Sequence, residues 1–327
     1  MEFGRIGGTD CVVSRLGFGC AAASNYDYGM LDEAAWVDAV GAALDAGVNL
    51  FDVADVYGFG HAESLLSRAL GDRRRDVVIA TKGGLRWDDN SGCVRRDTSP
   101  KWIRRALDDS LRRLRVDQIP LYQVHWPDPQ TPVEETLDAL SRCRDEGKIR
   151  FIGISNFSLE CIQKARRMWK IDSLQVPYNL LCRDIERDLL SWCRNAQVSV
   201  LAHTGLARGL LAGKRALGSQ FDANDTRARS PYFSDIGRAE KQNLLSALAH
   251  MSERTGRSVS AISLRWILDE PRVSAILVGI KSRKQLNDNL EALDWSLTSS
   301  DREALEILSN ACPPGLAGIP AHGAAGQ

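Results

Sequence analysis

Eight short apolar runs, each followed by a stretch long enough for a helix, limit what this chain can fold into. They fall at residues 15–19, 48–51, 77–80, 118–124, 149–154, 174–176, 198–202 and 275–278. Helix signals fill the gaps between them. Asp32 precedes Trp36, Val40 and Leu44 at helical spacing, with Gly47 behind them. Thr98-Ser99-Pro100 opens a second helix, with Ile103, Leu107, Leu111 and Leu114 along one face. Strands joined by helix-length crossovers pair in parallel, which leaves a doubly wound sheet or a closed barrel. A doubly wound sheet would carry G-x-G-x-x-G after an early strand, and Gly58-Phe59-Gly60 lacks the third glycine. The expected fold is therefore α/β, a (β/α)8 TIM barrel, which takes about 250 residues plus insertions. We read one barrel domain over residues 1–310 and an irregular tail over 311–327. Residues 1–14 read as a hairpin turning at Gly7-Gly8-Thr9-Asp10.

Polar residues at the ends of the early strands point to chemistry. Residues 48–51 run into Asp52, and Tyr57 follows five residues later, in a loop with Gly58 and Gly60. Residues 77–80 end at Thr81-Lys82, and residues 118–124 end at His125-Trp126. In βα architectures the carboxyl ends of the strands hold the reactive groups. Singly, an Asp there caps, a Tyr packs and a His satisfies its neighbours. Together they form a proton-transfer set. A tyrosine near its ordinary pKa of ~10 is a poor acid at neutral pH, and an adjacent ammonium shifts it toward the working range. Lys82 is placed to do this for Tyr57, with Asp52 orienting Lys82. His125 is placed to donate a hydrogen bond to a substrate oxygen.

These blocks resemble the aldo-keto reductases. FDVADVYGFGHAE is similar to that family's FDTAxxYGxGxSE, ATKGG to its lysine block and LYQVHWPDP to its histidine block. GKIRFIGISNF resembles GKIRxIGVSNF, and LARGLLAGK resembles the loop after the seventh strand. The resemblance runs from about Gly17 to about Ala292. It implies a barrel whose bottom the N-terminal hairpin closes, with Asp52, Tyr57, Lys82 and His125 as the catalytic tetrad. It also implies a nicotinamide cofactor, since side chains carry no hydride. Ser155, Asn156 and Gln175 then contact the carboxamide. The segment with His203, Thr204, Leu206 and Arg208 wraps the pyrophosphate. His203 stands where the family commonly has an aromatic residue stacked on the nicotinamide. An imidazole free to titrate near pH 6.5 would make cofactor binding pH-dependent there. Residues 277–289 resemble IPGxRxxxQLxEN and assign the adenosine end to Gly279, Lys281, Ser282, Arg283, Gln285 and Asn289. The cations favour NADPH over NADH.

Substrate contacts are expected from Tyr26, Tyr28, Trp87, Trp126 and Phe157, and from the loop 217–234 with Asp222, Asp225, Arg227, Arg229 and Tyr232. These polar walls suit a small hydroxylated or sugar-like carbonyl compound. Two alternatives remain open. One is oxidation of a sugar or cyclitol hydroxyl with NAD(P)+. The other is a cofactor-binding, redox-sensing subunit, because some relatives serve as β subunits of potassium channels. Lys+Arg 42 against Asp+Glu 42 leaves no net charge, which argues against nucleic-acid and anionic-membrane partners. The N-terminus lacks a signal-peptide pattern, and no apolar run is long enough to cross a bilayer. The 8 cysteines are scattered without a metal-ligand pattern, as in a reduced, cytoplasmic protein.

Overall fold

A closed barrel of eight parallel strands forms the centre of the computed structural model, which describes residues 1–24, 29–88, 91–213, 217–221 and 225–314. In chain order the strands are Leu16–Gly19, Leu50–Asp52, Val78–Gly83 and Ile119–Val124, then Ile149–Ser155, Ser173–Pro177, Ser199–His203 and Val273–Gly279. Each pairs with its successor, and the eighth closes on the first through Ile276 opposite Leu16 and Gly279 opposite Gly19. Helices return the chain between strands, beginning with Glu33–Asp45, His61–Leu70 and Pro100–Leu114. Local chemistry sets where they start. The Asp32 side chain accepts the Ala35 amide, and Ser99 accepts that of Trp102 ahead of a proline in the first turn. Trp36, Val40 and Leu44 face inward, as do Ile103, Leu107 and Leu114, so the 3.6-residue period becomes the helix-to-barrel packing layer.

The N-terminal hairpin pairs Phe3–Arg5 with Val12–Ser14. Its Ile6, Cys11 and Val13 pack on Leu50, Leu121, Phe151, Leu201 and Leu277, which fill the lower barrel interior. The bottom is thus an apolar plug. Higher in the barrel the interior turns polar, with Asp52, Lys82, Gln123 and Gln175 all buried. Gly153 permits that layer: a Cβ there would lie 2.4 Å from Ser173 Oγ and 2.8 Å from Gln123 Cγ.

Several sequence expectations need adjustment. The third strand continues through Lys82 to Gly83, so the lysine side chain is fixed by strand geometry and not by a loop. Beyond Gly84, whose φ is +100°, Leu85–Trp87 and Val94–Arg96 form a small antiparallel hairpin at the barrel mouth. A helix, Ser299–Ala311, ends at the residue where the irregular tail is expected to begin. The stretch 315–327 of that tail lies outside the described residues, as do Tyr26, Tyr28 and Asp222. Among the described residues no helix is long and apolar enough to cross a membrane.

Candidate active site

The barrel brings together side chains far apart in sequence at the carboxyl ends of its strands. Lys82, 1% exposed, donates from Nζ to Asp52 Oδ2 at 2.7 Å, to Asp52 Oδ1 at 2.9 Å and to the Val53 carbonyl at 3.0 Å. An ammonium has three donors, so its position is fully determined. It lies 5.3 Å from the centroid of the Tyr57 ring. That ring meets His125 edge-on, with centroids 5.9 Å apart. Gln175 Nε2 donates to Asp52 Oδ1 at 2.8 Å. The four tetrad candidates therefore converge, and Gln175 joins them from the sixth strand.

Beside this group, Asn156 sits in the left-handed region at φ +64°. Its Nδ2 donates to the His125 carbonyl at 3.1 Å and to Ser155 Oγ at 3.0 Å. Its Oδ1 faces His203 Nε2 at 3.3 Å, while His203 Nδ1 faces Thr204 Oγ1 at 2.7 Å. An amide oxygen only accepts, so His203 carries its proton on Nε2 and accepts the threonine hydroxyl at Nδ1. Burial first, then the positive Lys82 and Arg208, push the His203 imidazole down to about 3. That direction runs against the expectation of a titration near pH 6.5, for a ring that is half-buried on the cleft wall. The sequence could not show that burial.

After His203 the backbone is unusual, with positive φ at Thr204, Ala207, Arg208 and Gly209. For a β-branched threonine this is an uncommon conformation that only surrounding packing maintains. The Ala207 and Gly209 amides donate to the Thr204 and Leu206 carbonyls, so the loop is held by its own bonds. Arg208 Nη1 donates to Thr226 Oγ1 at 3.1 Å and ties this loop to the segment 225–229.

One open cleft, with a cavity volume of about 300 Å³, runs along all of these groups. Its redox-end wall includes Tyr57, His125, Trp126, Asn156 and His203; Leu206, Arg208, Arg227 and Tyr232 flank its middle; Gly279, Lys281, Gln285 and Asn289 line its far end. Trp87 is not on the cleft wall. It packs with Trp126 and Tyr57 around Ala54, Val56 and Leu85. Phe157, expected as a substrate surface, is 4% exposed in the main core, because the turn after the fifth strand points it inward.

The far end also differs in detail from expectation. The last cleft-lining helix starts at Arg283, and Ser282 Oγ caps it by accepting the Gln285 amide. Arg283 is bound to Asp38, and Lys284 to Asp288. Sequence reasoning also missed Asp55. It lies between Asp52 and Tyr57, fully buried, and neither carboxyl oxygen finds a side-chain partner. Burial and then the adjacent Glu63 push its carboxyl well above the usual range, against the opposing pull of Arg113 and Lys82. Two acids flanking one loop were visible in the sequence; their common burial was not.

A phenol, an ammonium, a carboxylate and an imidazole at one barrel rim, beside a cleft that runs on to Lys281, Gln285 and Asn289, equip a protein for hydride and proton exchange at a carbonyl. The chain belongs to the aldo/keto reductase family, whose model matches residues 15–310, and it is a nicotinamide-dependent oxidoreductase acting on carbonyl and alcohol groups. It is 36% identical to aldo-keto reductase YhdN of Bacillus subtilis, over 95% of this chain and 94% of the relative. It is 29% identical to the NADH-specific methylglyoxal reductase of Escherichia coli, over 94% and 98% respectively. Among solved structures, the glycerol dehydrogenase AKR11B4 from Gluconobacter oxydans superposes with a TM-score of 0.86 at 37% identity, over 94% of each chain.

Proposed function

We propose that this protein reduces an aldehyde or ketone, of small hydroxylated or sugar-like type, with NADPH, and that Tyr57 is the general acid. The carrying observation is the placement of Lys82: a buried ammonium, fixed by Asp52 and Val53, lies 5.3 Å from the Tyr57 ring. Coulomb attraction in this poorly hydrated site favours the phenolate that remains once Tyr57 has given its proton to the carbonyl oxygen. His125 donates a hydrogen bond to the same oxygen and stabilises the charge that develops there. Asp52 and Gln175 are positioning groups, acting through Lys82.

The chemistry of the cleft lining supports the cofactor. The neutral His203 ring, Asn156 and Ser155 offer a flat polar surface for the nicotinamide, Arg208 a cation for the pyrophosphate, and Lys281, Gln285 and Asn289 polar contacts for the phosphorylated adenosine. When bound, the cofactor supplies the hydride. Lys281 and Arg283 support NADPH as the partner, whereas a relative of 29% identity is named for NADH, so membership in the family does not choose between them. All eight cysteines are unpaired, which suits a reducing, cytoplasmic setting. We read residues 1–310 as one domain.

A second reading is oxidation of a polyol by the same residues in reverse, with Tyr57 accepting the proton. It is favoured by the name of the glycerol dehydrogenase neighbour. The deciding experiment measures binding of both cofactors and then assays aldehydes, ketones, sugars and polyols in both directions. Faster alcohol oxidation than carbonyl reduction under matched conditions would replace the first reading with the second.

A further inference from the structure

Beside the far end of the cleft, two of the cations near it already face carboxylates. Arg283, the first residue of its helix, donates from Nη2 to Asp38 Oδ1 at 2.6 Å and from Nε to Asp38 Oδ2 at 2.8 Å. Asp38 comes from Glu33–Asp45, the helix after the first strand, which packs beside Arg283–Leu290. Lys284 meets Asp288 at 3.0 Å in the same helix. Asp45 adds a weaker negative field at Arg283. Lys281, two residues before Arg283, lines the cleft.

We infer that Asp38 is a specificity-determining residue: by holding Arg283, it weakens recognition of the 2′-phosphate that distinguishes NADPH from NADH. The inference rests on the proposed reading that this end of the cleft takes the adenosine half of the cofactor. The fork-to-carboxylate geometry is the one a guanidinium uses for phosphate, so the two acceptors compete for the same donors. With side chains 56% and 51% exposed, the pair is weak and exchangeable. Arg283 can therefore turn to a phosphate, but it must leave Asp38, whose charge then repels the incoming dianion across a partly screened gap. A cofactor with a bare 2′-hydroxyl meets neither obstacle. Asp38 thus acts on the ratio of the two affinities and leaves the chemistry of the redox end alone.

The test is binding, read by quenching of protein fluorescence with NADPH and NADH at low ionic strength. Asp38→Asn should tighten NADPH by about twofold to fivefold, the upper part of the range expected when an exposed charge pair is released, and leave NADH nearly unchanged. The gain should shrink in ~0.5 M salt, where charges are screened within a few ångströms, and vanish in Asp38→Asn/Arg283→Ala. An unchanged NADPH-to-NADH ratio in Asp38→Asn overturns the inference, as does a gain that survives without Arg283. Lys281→Ala separates the two levels of the argument. If it weakens NADPH more than NADH while Asp38→Asn does nothing, only the role of Asp38 fails. If Lys281→Ala and Arg283→Ala affect both cofactors equally, the 2′-phosphate lies elsewhere and the reading of this end fails with it.

Discussion

Gln175 Nε2 lies 2.8 Å from Asp52 Oδ1, so a bond from the sixth strand to the second crosses the mouth of the barrel. Asp52 is the carboxylate that holds Lys82, and Gln175 therefore helps fix the ammonium beside Tyr57. Its amide nitrogen is turned to the tetrad, while the residue also lines the cleft. Gln175→Ala should then lower kcat by roughly 10-fold, the order expected from loosening a positioned charge, with little change in cofactor Kd. Stopped-flow turnover and a fluorescence titration measure the two quantities. A large rise in cofactor Kd at unchanged kcat would return Gln175 to the carboxamide contact expected from the resemblance.

Tyr57→Phe removes the proposed proton donor and keeps the ring that packs against His125. Cofactor binding should stay nearly intact while turnover of a generic aldehyde falls ~100-fold or more, the scale of general acid catalysis. Lys82→Met should be comparably damaging, because the phenolate loses its counter-charge and Asp52 is left buried and unpaired. A Tyr57→Phe enzyme at full rate would assign the proton to another group.

How much of this was legible in the sequence follows from how far apart the interacting residues stand. Asp52, Lys82 and His125 could be read because each ends an apolar strand, a relation local to a few residues. The barrel could be read for the same reason: strand and helix periods alternate without a phosphate-turn signature. The Gln175 to Asp52 bond spans 123 residues and that from Arg283 to Asp38 spans 245, so both exist only once the barrel closes. Phe157 was misjudged on the same ground, since nothing local says whether an aromatic residue after Ser155-Asn156 turns into the core or the cleft. The hairpin Leu85–Trp87 and Val94–Arg96 was missed because strands of three residues carry almost no period.

Asp55 gives a prediction about stability. In the unfolded chain its carboxyl ionises near pH ~4. In the folded protein, burial and Glu63 keep the proton on to higher pH. Between those limits folding takes up a proton, so the contribution of Asp55 to stability falls as pH rises from about 4 toward the raised native value. Asp55→Asn keeps the shape without the ionisation. Its melting temperature should exceed that of the wild type more at pH 8 than at pH 5. Parallel curves of melting temperature against pH for the two proteins would show that Asp55 does not titrate differently on folding.

His203 gives the last prediction, and its sign follows from the direction of the shift. The ring is held between Asn156 Oδ1 and Thr204 Oγ1, and its pKa is pushed down to about 3. The unfolded chain protonates near ~6.5, so the native state gains no proton at His203 between pH 5.5 and 8. Its contribution to stability is fully present above about 6.5 and is lost progressively below it, as the unfolded state alone takes up the proton. For cofactor binding the consequence is a flat profile. A protonated ring against the nicotinamide would repel the cationic NADP+ and spare NADPH, whereas a neutral ring treats the two alike in charge. The ratio of NADP+ to NADPH dissociation constants should therefore show no inflection from His203 between pH 5.5 and 8, and His203→Tyr should show the same pH dependence as the wild type. The larger phenol ring should tighten both redox states if it takes the same place on the cleft wall. A wild-type ratio that climbs below about pH 6.5, and is flat in His203→Tyr, would mean that the imidazole titrates when the cofactor is bound. The burial that holds it neutral would then be a property of the free protein alone.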